Sequence, residues 1–556
     1  MRLARIASRR RHSRPSLLRG PAPPRARSLM PASRHEGARL VPASGAGVAA
    51  ATAAGRRANP AALPDAKPPK WAPPPALRAV PKTAAAALDL ELRRAKAVSR
   101  LRKKLEAACG KAGLAIDGPG LLTFERWLWS ARRAAGARGG AAPPPGRGGG
   151  DPVLPPAAAE PDLGLVNDLK RRGAPADAAA KAAAELAAAA AATGAALAKR
   201  ARALQTGAPP DAIEVTIAVH ARTVELVAAA RGPKVGGGGD AAAPPPLRQA
   251  AFARLSLPAY ATAAARYTPA TGEPPAPADA AAGAADPAAH AAFHRRLLAA
   301  LLRYKTLRGG GFHAGVGEPL AAVLKERLGC AFECFASSLN ALTPRFGTAF
   351  PDVDAVFGGT GDFFGAALPA GAAVSVNPPF EPATLAAAAA ACVAAVAAAD
   401  AAKSPLTIAF VCPAWREGAA WKALSAPGVA EATVVAAAAD HGFRDGAPHG
   451  AADPYRQSPY DSGLFVLRSK AAAAKRPLDA PAFEAAVRAA WAACCPSPAA
   501  VARQRAGRGS KDVRAWGDGP AAPAQKKRPG AGTAGGGPER KKRKGGSGQA
   551  AAAAEA

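Results

Sequence analysis

Large apolar side chains are scarce in this chain. Aromatic residues make up 5% of its 556 residues and methionine occurs twice. Its apolar content is dominated by alanine, which favours helix but buries little area per residue. The length would allow about three or four average domains, yet this composition predicts one or two, with disordered arms and inserts. Acidic residues are also few, 40 against 74 lysines and arginines, for a formal net charge of +34. A polyanion is therefore the expected partner, although charge alone selects no site. Seven cysteines without a regular framework exclude a disulfide scaffold. Cys494 and Cys495 are adjacent and no Cys/His cluster has zinc spacing, so no structural metal is expected. The long alanine-rich stretches Ala183–Ala192, which includes Glu185, and Ala386–Ala399 are weakly hydrophobic, and no membrane span is expected.

What the chain does contain is basic at both ends. The first thirty-five residues hold ten arginines and no acid, a composition compatible with an organelle transit peptide. Near the other end Lys526–Arg528 and Arg540–Lys544 form two basic blocks around a flexible spacer, the pattern of a nuclear import tail. The nucleus is the expected location, an organelle the alternative. Between these ends the expected organisation is a disordered Arg/Pro/Ala-rich arm at 1–80 and a helical domain with Gly/Pro-rich inserts at 85–292. An α/β core at 293–475, a helical extension at 476–510 and a disordered basic tail at 511–556 complete it. Helices are predicted over 87–110, within 163–205 and over 293–307. Residues 212–227 read as two short strands or one extended run. Phe124, Trp127 and Leu128 recur at helical spacing, which predicts packing rather than a base-stacking platform.

Beyond residue 307 the pattern changes. "LGCAFECFASSLN" reads as a short strand ending in small polar residues at 336–340. "FPDVDAVFGGTGDFFG" reads as a second strand with glycines around Asp362. "GAAVSVNPPF" is strand then turn, "EPATLAAAAAACVAAVAAA" helix, and "PLTIAFVCPAW" strand; "AEATVVAAA" and "DSGLFVLRS" add two more. This order predicts an α/β sheet flanked by helices, with ligands at the carboxyl ends of the strands. Ser337–Asn340 and Asn377–Phe380 both fall at such ends.

The second of these, Asn377-Pro378-Pro379-Phe380, has a bland reading. Two prolines end a strand, and Asn377 caps the helix that follows. It also has a chemical one. The exocyclic amine of adenine is a poor nucleophile because its lone pair is delocalised into the ring. If the methyl donor were S-adenosylmethionine, a site would have to hold the amine hydrogens on oxygen acceptors and aim the nitrogen at the sulfonium methyl. The Asn377 amide oxygen and the Pro378 carbonyl are two such acceptors. The Pro378–Pro379 pair fixes the carbonyl direction, and Phe380 offers a face for the base. The gain is one of orientation and electrostatics.

The tetrad resembles the N6-adenine methyltransferase signature. Several blocks in the same order resemble, more specifically, the phosphorylated CTD-interacting factor family of cap-specific mRNA adenosine N6-methyltransferases. They are "RYKTLRGGGFHAGV" upstream, "ECFASSLN" at 333–340, "AFPDVDAVFG" at 349–358, "NPPF" at 377–380 and "FVCPAWRE" at 410–417. "HGFRDGAPHG" at 441–450 and "DSGLFVL" at 461–467 follow more loosely. The resemblance implies a Rossmann-like domain beside a helical one, S-adenosylmethionine as donor and capped mRNA beginning with adenosine as acceptor. It implies that Asn377, Pro378, Pro379 and Phe380 hold the adenine, and that Glu333, Phe335, Ala336 and Ser337 lie near the donor. Asp354 or Asp362 takes the donor ribose. Lys305, Arg308, Arg416, Glu417, His441, Arg444 and His449 are candidates for the cap, its phosphates or the acceptor groove. Two departures stand out. Trp71 has no second tryptophan at WW spacing, the next being Trp127, so no WW module is evident and polymerase-tail binding does not carry over. The segment between His449 and Asp461 is short and contains proline. Methylation of DNA or internal RNA, and a catalytically silent RNA-binding protein, are the alternative functions.

Overall fold

The helical half begins at Thr83, whose hydroxyl accepts from Ala86 N at 3.2 Å and starts α1, Ala84–Lys111. The computed structural model describes residues 69–70, 72–114, 121–137, 150–156, 162–231, 247–270, 272–307, 313–365, 367–446 and 453–502. The arm expected to be disordered through residue 80 is held at its end. Ala76 N donates to the Gly359 carbonyl at 3.0 Å, and Arg345 donates to the Pro73 carbonyl at 3.0 Å. The rest of that arm, Trp71 and the basic tail at 511–556 lie outside the described residues.

Helices α2 (Leu121–Ala137), α3 (Leu163–Arg171) and α4 (Ala176–Gln205) follow. Phe124, Trp127 and Leu128 are buried in one core with Leu88, Val98 and Leu101, so their spacing serves packing. Residues 212–227 resolve into β1 (Ile213–Val219) and β2 (Thr223–Arg231), paired antiparallel. A third strand, β3 (Leu247–Ser256), extends this sheet beyond what the sequence suggested. Its "LRQAAFARLS" has no β-branched residue to announce it. After α5 (Leu257–Arg266) and α6 (Ala280–Ala285), α7 (Ala291–Leu307) inserts Phe293, Leu297 and Leu301 into the helical core. A helix assigned by sequence to the start of the α/β core thus packs with the preceding layer.

The α/β layer is built on a five-stranded sheet of order β5-β6-β7-β11-β8: β5 Phe332–Glu333, β6 Ala373–Val376, β7 Thr407–Pro413, β8 Ala432–Ala436 and β11 Ser462–Arg468. β5, β6 and β7 run parallel, and β11 is antiparallel to both β7 and β8. Side chains of β7 alternate between two cores. Ile408, Phe410 and Cys412 face α10 (Pro382–Ala401) and α11 (Ala419–Leu424). Ala409 and Val411 face α8 (Glu318–Leu328) and α13 (Ala480–Ala493). The chain is therefore an α/β protein. Residues 350–365, expected to begin with a strand, instead begin with a helical turn, α9 (Pro351–Asp354), and a 3₁₀ turn. Pro351 suits the first helical position, and Asp352 and Asp354 suit its positive end. A two-stranded crossing, β4 (Ala314–Gly315) on β9 (Gly442–Asp445), with β10 (Tyr455–Gln457) beyond it, was not anticipated. α12 (Lys470–Lys475) follows β11. Helix α10 is long and apolar enough to cross a membrane, but Leu385, Ala388, Ala389 and Cys392 lie in the core against the sheet. The seven cysteines, all described, are free.

One buried cation ties the two halves. Arg303 of α7 holds Glu91 of α1 at 2.5 and 3.0 Å and Asp352 of α9 at 2.6 and 3.1 Å. Its charge is stabilised well above the ordinary arginine range because two carboxylates outweigh burial. Arg303→Met, which strands Asp352 and leaves Glu91 with Arg94 alone, is expected to lower the unfolding free energy by about 3–5 kcal/mol. Urea titration of the variant checks this, and a shift under about 1 kcal/mol would refute the anchoring role.

Candidate active site

Because β5, β6 and β7 are parallel, the loops after them emerge at one edge of the sheet. Asn377 follows β6 directly. Its Nδ2 donates to the Ala314 carbonyl of β4 at 3.4 Å, and that bond assigns Oδ1 to the other side. Oδ1 is buried and has no hydrogen-bond partner among the described residues. An orphaned buried acceptor costs about 1–3 kcal/mol, so its presence needs a reason. Capping is not the reason. Glu381 caps α10, accepting from Ala383 N at 3.0 Å, Thr384 N at 2.7 Å and the Thr384 hydroxyl at 2.7 Å. Glu381 N in turn donates to the Pro379 carbonyl at 2.7 Å, which closes the Pro378–Pro379 turn. Phe380 stands edge-on to Phe443, centroids 5.6 Å apart, so its ring is braced from β9.

The turn after β5 is held by a residue that the sequence did not single out. Asn340 Oδ1 accepts from Ser337 N at 2.8 Å and from the Ser337 hydroxyl at 2.9 Å, while its Nδ2 donates to the His313 carbonyl at 3.0 Å. The same carbonyl accepts from Gly446 N at 3.0 Å. One asparagine thus ties the Ser337 turn to the segment on which Asn377 rests. Ala336 N donates to the Gly347 carbonyl at 2.9 Å, and Phe335 lies 4.9 Å from Phe363.

Two of the expected donor ligands also serve the scaffold, Asp354 with both oxygens and Glu333 with one. Asp354 is fully buried and accepts from the hydroxyls of Tyr304 and Thr348 and from Ser338 N at 3.2 Å. Burial raises its carboxyl above the ordinary range, partly offset by those hydrogen bonds. It has no oxygen left for a ribose. Glu333 accepts from Leu342 N at 2.6 Å, Thr343 N at 2.9 Å and the Thr343 hydroxyl at 3.0 Å through a single oxygen, bracing the loop. Burial pushes its carboxyl up as well. Asp362, half-buried beside Phe363, uses one oxygen to accept from Phe364 N at 2.9 Å and is the better-placed acid.

The remaining candidates disperse. His441 is buried, its Nδ1 hydrogen-bonds the Ala437 carbonyl at 2.7 Å, and its ring contacts Phe443 and Trp491. It belongs to the core, where burial lowers its pKa, and does not face a cap. Lys305 lies over the ring of Phe252 on the antiparallel sheet of the helical half, 4.5 Å from its centroid, away from the site edge. Glu417 is exposed and pairs with Lys422 at 3.0 Å. Arg416 is exposed at the edge, its guanidinium 5.3 Å from the Trp421 centroid. Arg444 pairs with Glu318 at 3.2 Å and lies opposite Gly315 of β4, close to Asn377's support. Arg308 and His449 lie outside the described residues. No cluster of metal-binding side chains occurs among the described residues.

A family model described as "Phosphorylated CTD interacting factor 1 WW domain" matches residues 280–446, a segment that contains the Asn377 turn, the Asn340 turn and the β4 crossing. This segment is similar to the phosphorylated CTD interacting factor family. Human mRNA (2'-O-methyladenosine-N(6)-)-methyltransferase is 30% identical over 138 residues, 24% of this chain and 19% of that protein. Its mouse counterpart is 30% identical over 141 residues, with the same two shares. The matched region therefore spans 19% of the length of these relatives. The family description names a WW module, which corrects the expectation drawn from Trp71 and Trp127. The matched residues lie downstream of both and include Trp415 and Trp421.

The two asparagines make opposite demands on stability. Asn340→Ala leaves the buried Ser337 N–H without its partner and the His313 carbonyl with Gly446 N alone, and is expected to cost about 1–3 kcal/mol. Asn377→Ala removes one long hydrogen bond and an orphaned acceptor, and is expected to shift stability by less than about 0.5 kcal/mol. Chemical denaturation of both variants tests the contrast; equal losses would make Asn377 a structural residue.

Proposed function

We propose that this protein transfers a methyl group from S-adenosylmethionine to the N6 amine of the first transcribed adenosine beside the m7G cap of mRNA. The observation that carries the reading is the buried, unpartnered Asn377 Oδ1 at the carboxyl edge of a parallel sheet. The family-model match over residues 280–446 supports it, as do relatives named as mRNA (2'-O-methyladenosine-N(6)-)-methyltransferases.

Asn377 Oδ1 accepts one amine hydrogen and the Pro378 carbonyl the other, so the nitrogen lone pair turns out of the ring plane toward the donor. Each bond strengthens as the nitrogen gains positive charge, which places the stabilisation in the transition state. Phe380, braced by Phe443, stacks on the adenine ring and fixes its plane. Bound S-adenosylmethionine supplies a methyl group on a sulfonium, which leaves as a neutral thioether. Asn377 Oδ1 and the Pro378 carbonyl would hold the amine as it takes up positive charge and releases one proton to water. Ser337 and Ala336 line the donor side, Phe335 and Phe363 offer it an apolar wall, and the free side of Asp362 suits the ribose hydroxyls. Glu333 and Asp354 act behind this layer by holding the loops that carry it. Arg416 and Arg444 are the edge cations suited to acceptor phosphates. The C-terminal basic blocks support a nuclear location.

The family description also supports contact with the phosphorylated tail of RNA polymerase II through residues 280–446. A net charge of +34 suits such a polyanion.

Transfer of labelled methyl groups to capped RNA, uncapped RNA and DNA oligonucleotides starting with adenosine tests the reading. Capped RNA is expected to be the preferred acceptor. Asn377→Ala is expected to lower kcat by about 100-fold or more while donor binding by calorimetry persists. Equal rates on uncapped RNA would refute cap specificity, methylation of DNA alone would move the substrate class, and turnover in Asn377→Ala would refute the site.

A further inference from the structure

Strand register places a second aromatic feature at the same edge. Val376 is opposite Phe410 in the parallel β6–β7 pair, so Asn377 is level with Val411. β7 continues to Pro413, two residues further, an overhang of about 7 Å at the rise of an extended strand. On the far side of β7, Ser462 of β11 is opposite Pro413. The chain leaving β7 and the chain entering β11 therefore project together past the level of Asn377. Ala414 N donates to the Asp461 carbonyl at 2.7 Å and locks the two segments to each other.

Each segment carries one large aromatic side chain. Trp415 and Tyr460 meet at 5.2 Å between centroids with planes at 82°. Tyr460 is 43% exposed, among the most exposed large apolar side chains of the described residues, and Trp415 is half-buried. A T-shaped pair uses one ring edge and one ring face, and leaves flat surface to solvent. Core packing does not require this exposure, because the neighbouring Trp421 already fills the space against Phe465. The charges around the pair suit a polyanion. Arg416 is exposed next to Trp415, Glu417 is engaged by Lys422, and an Asp461 carboxylate oxygen accepts from Ala438 N at 2.8 Å.

From this geometry we infer that Trp415 and Tyr460 form a stacking subsite for the nucleobase adjoining the adenine held at Asn377. The inference rests on adenine being the base at Asn377, and it adds the subsite through which a strand, rather than a lone nucleoside, is recognised. Aromatic stacking suits this task because every base presents a π-face, whereas Arg416 beside it supplies the phosphate contact.

The test is equilibrium binding by fluorescence anisotropy, using full-length protein without donor. The probes are a labelled capped oligoribonucleotide beginning with adenosine and, by competition, adenosine 5′-monophosphate. Trp415→Ala and Tyr460→Ala are each expected to weaken oligonucleotide binding by about 5- to 100-fold. Monophosphate affinity is expected to stay unchanged and Trp415→Phe to keep most of the oligonucleotide affinity. The loss should persist at raised salt, where phosphate contacts fade. Oligonucleotide affinity equal to wild type in both alanine variants would overturn the subsite, and so would equal weakening of both probes. If Trp415→Ala does not fold, Tyr460→Ala carries the test, since its ring is exposed. Ring-dependent binding without methyl transfer to any acceptor would overturn the proposed reaction and leave the subsite standing.

Discussion

The arrangement of the site depends on how α9 is held. That short turn presents Asp352 and Asp354 to the helical half, where Arg303 and Tyr304 on consecutive positions of α7 meet them. Arg303 is shared with Glu91, so three elements distant in sequence converge on one guanidinium. A buried ion cluster of this kind adds little net stability over an apolar one. Its fork geometry does fix a relative position, because a planar guanidinium donates to its two carboxylates along defined directions. Asp354 passes that position on to Ser338, and Asn340 passes it to the segment beneath Asn377.

This chain of contacts explains why the helical half matters to a site that lies wholly on the sheet. The loops after β5 and β6 have apolar anchors such as Phe346 and Phe380, but the turns at Ser337 and Asn377 themselves are set by hydrogen bonds. Polar contacts do the positioning that larger side chains would do elsewhere. Each contact is directional, so the arrangement is specific even where the packing is thin.

The parts legible in the sequence were those with a strong local cause. Two prolines after an apolar run marked the end of β6, and apolar runs containing β-branched and aromatic residues marked β7 and β11. The Asn-Pro-Pro-Phe turn stood out because its residues are chemically unusual together. What stayed hidden was set by distant partners. β5 is two residues long and exists only through pairing with β6, and β4 and β9 define each other. "FPDVDAV" looked apolar enough for a strand, yet its acids are spent on Arg303 and Tyr304 and its proline starts a helical turn. Asn340 looked like the polar end of a strand. Its role appears only when His313 is brought alongside it. Asn377 as a cap was a sound local guess, overtaken by Glu381 four residues later with two oxygens to offer.

That last substitution of roles reaches beyond geometry. Since Glu381 starts the helix, the chain does not need the Asn377 side chain in order to fold, and chemistry and foldability at this turn are carried by different residues. A copy that lost only Asn377 would persist in the cell as an intact, strongly basic protein with its acceptor surface in place. Under the function proposed above, it would compete with active copies for the same RNA instead of being cleared by quality control. Inheritance of such a change would then be felt in the presence of a normal copy, whereas loss of Glu381 would behave as simple absence.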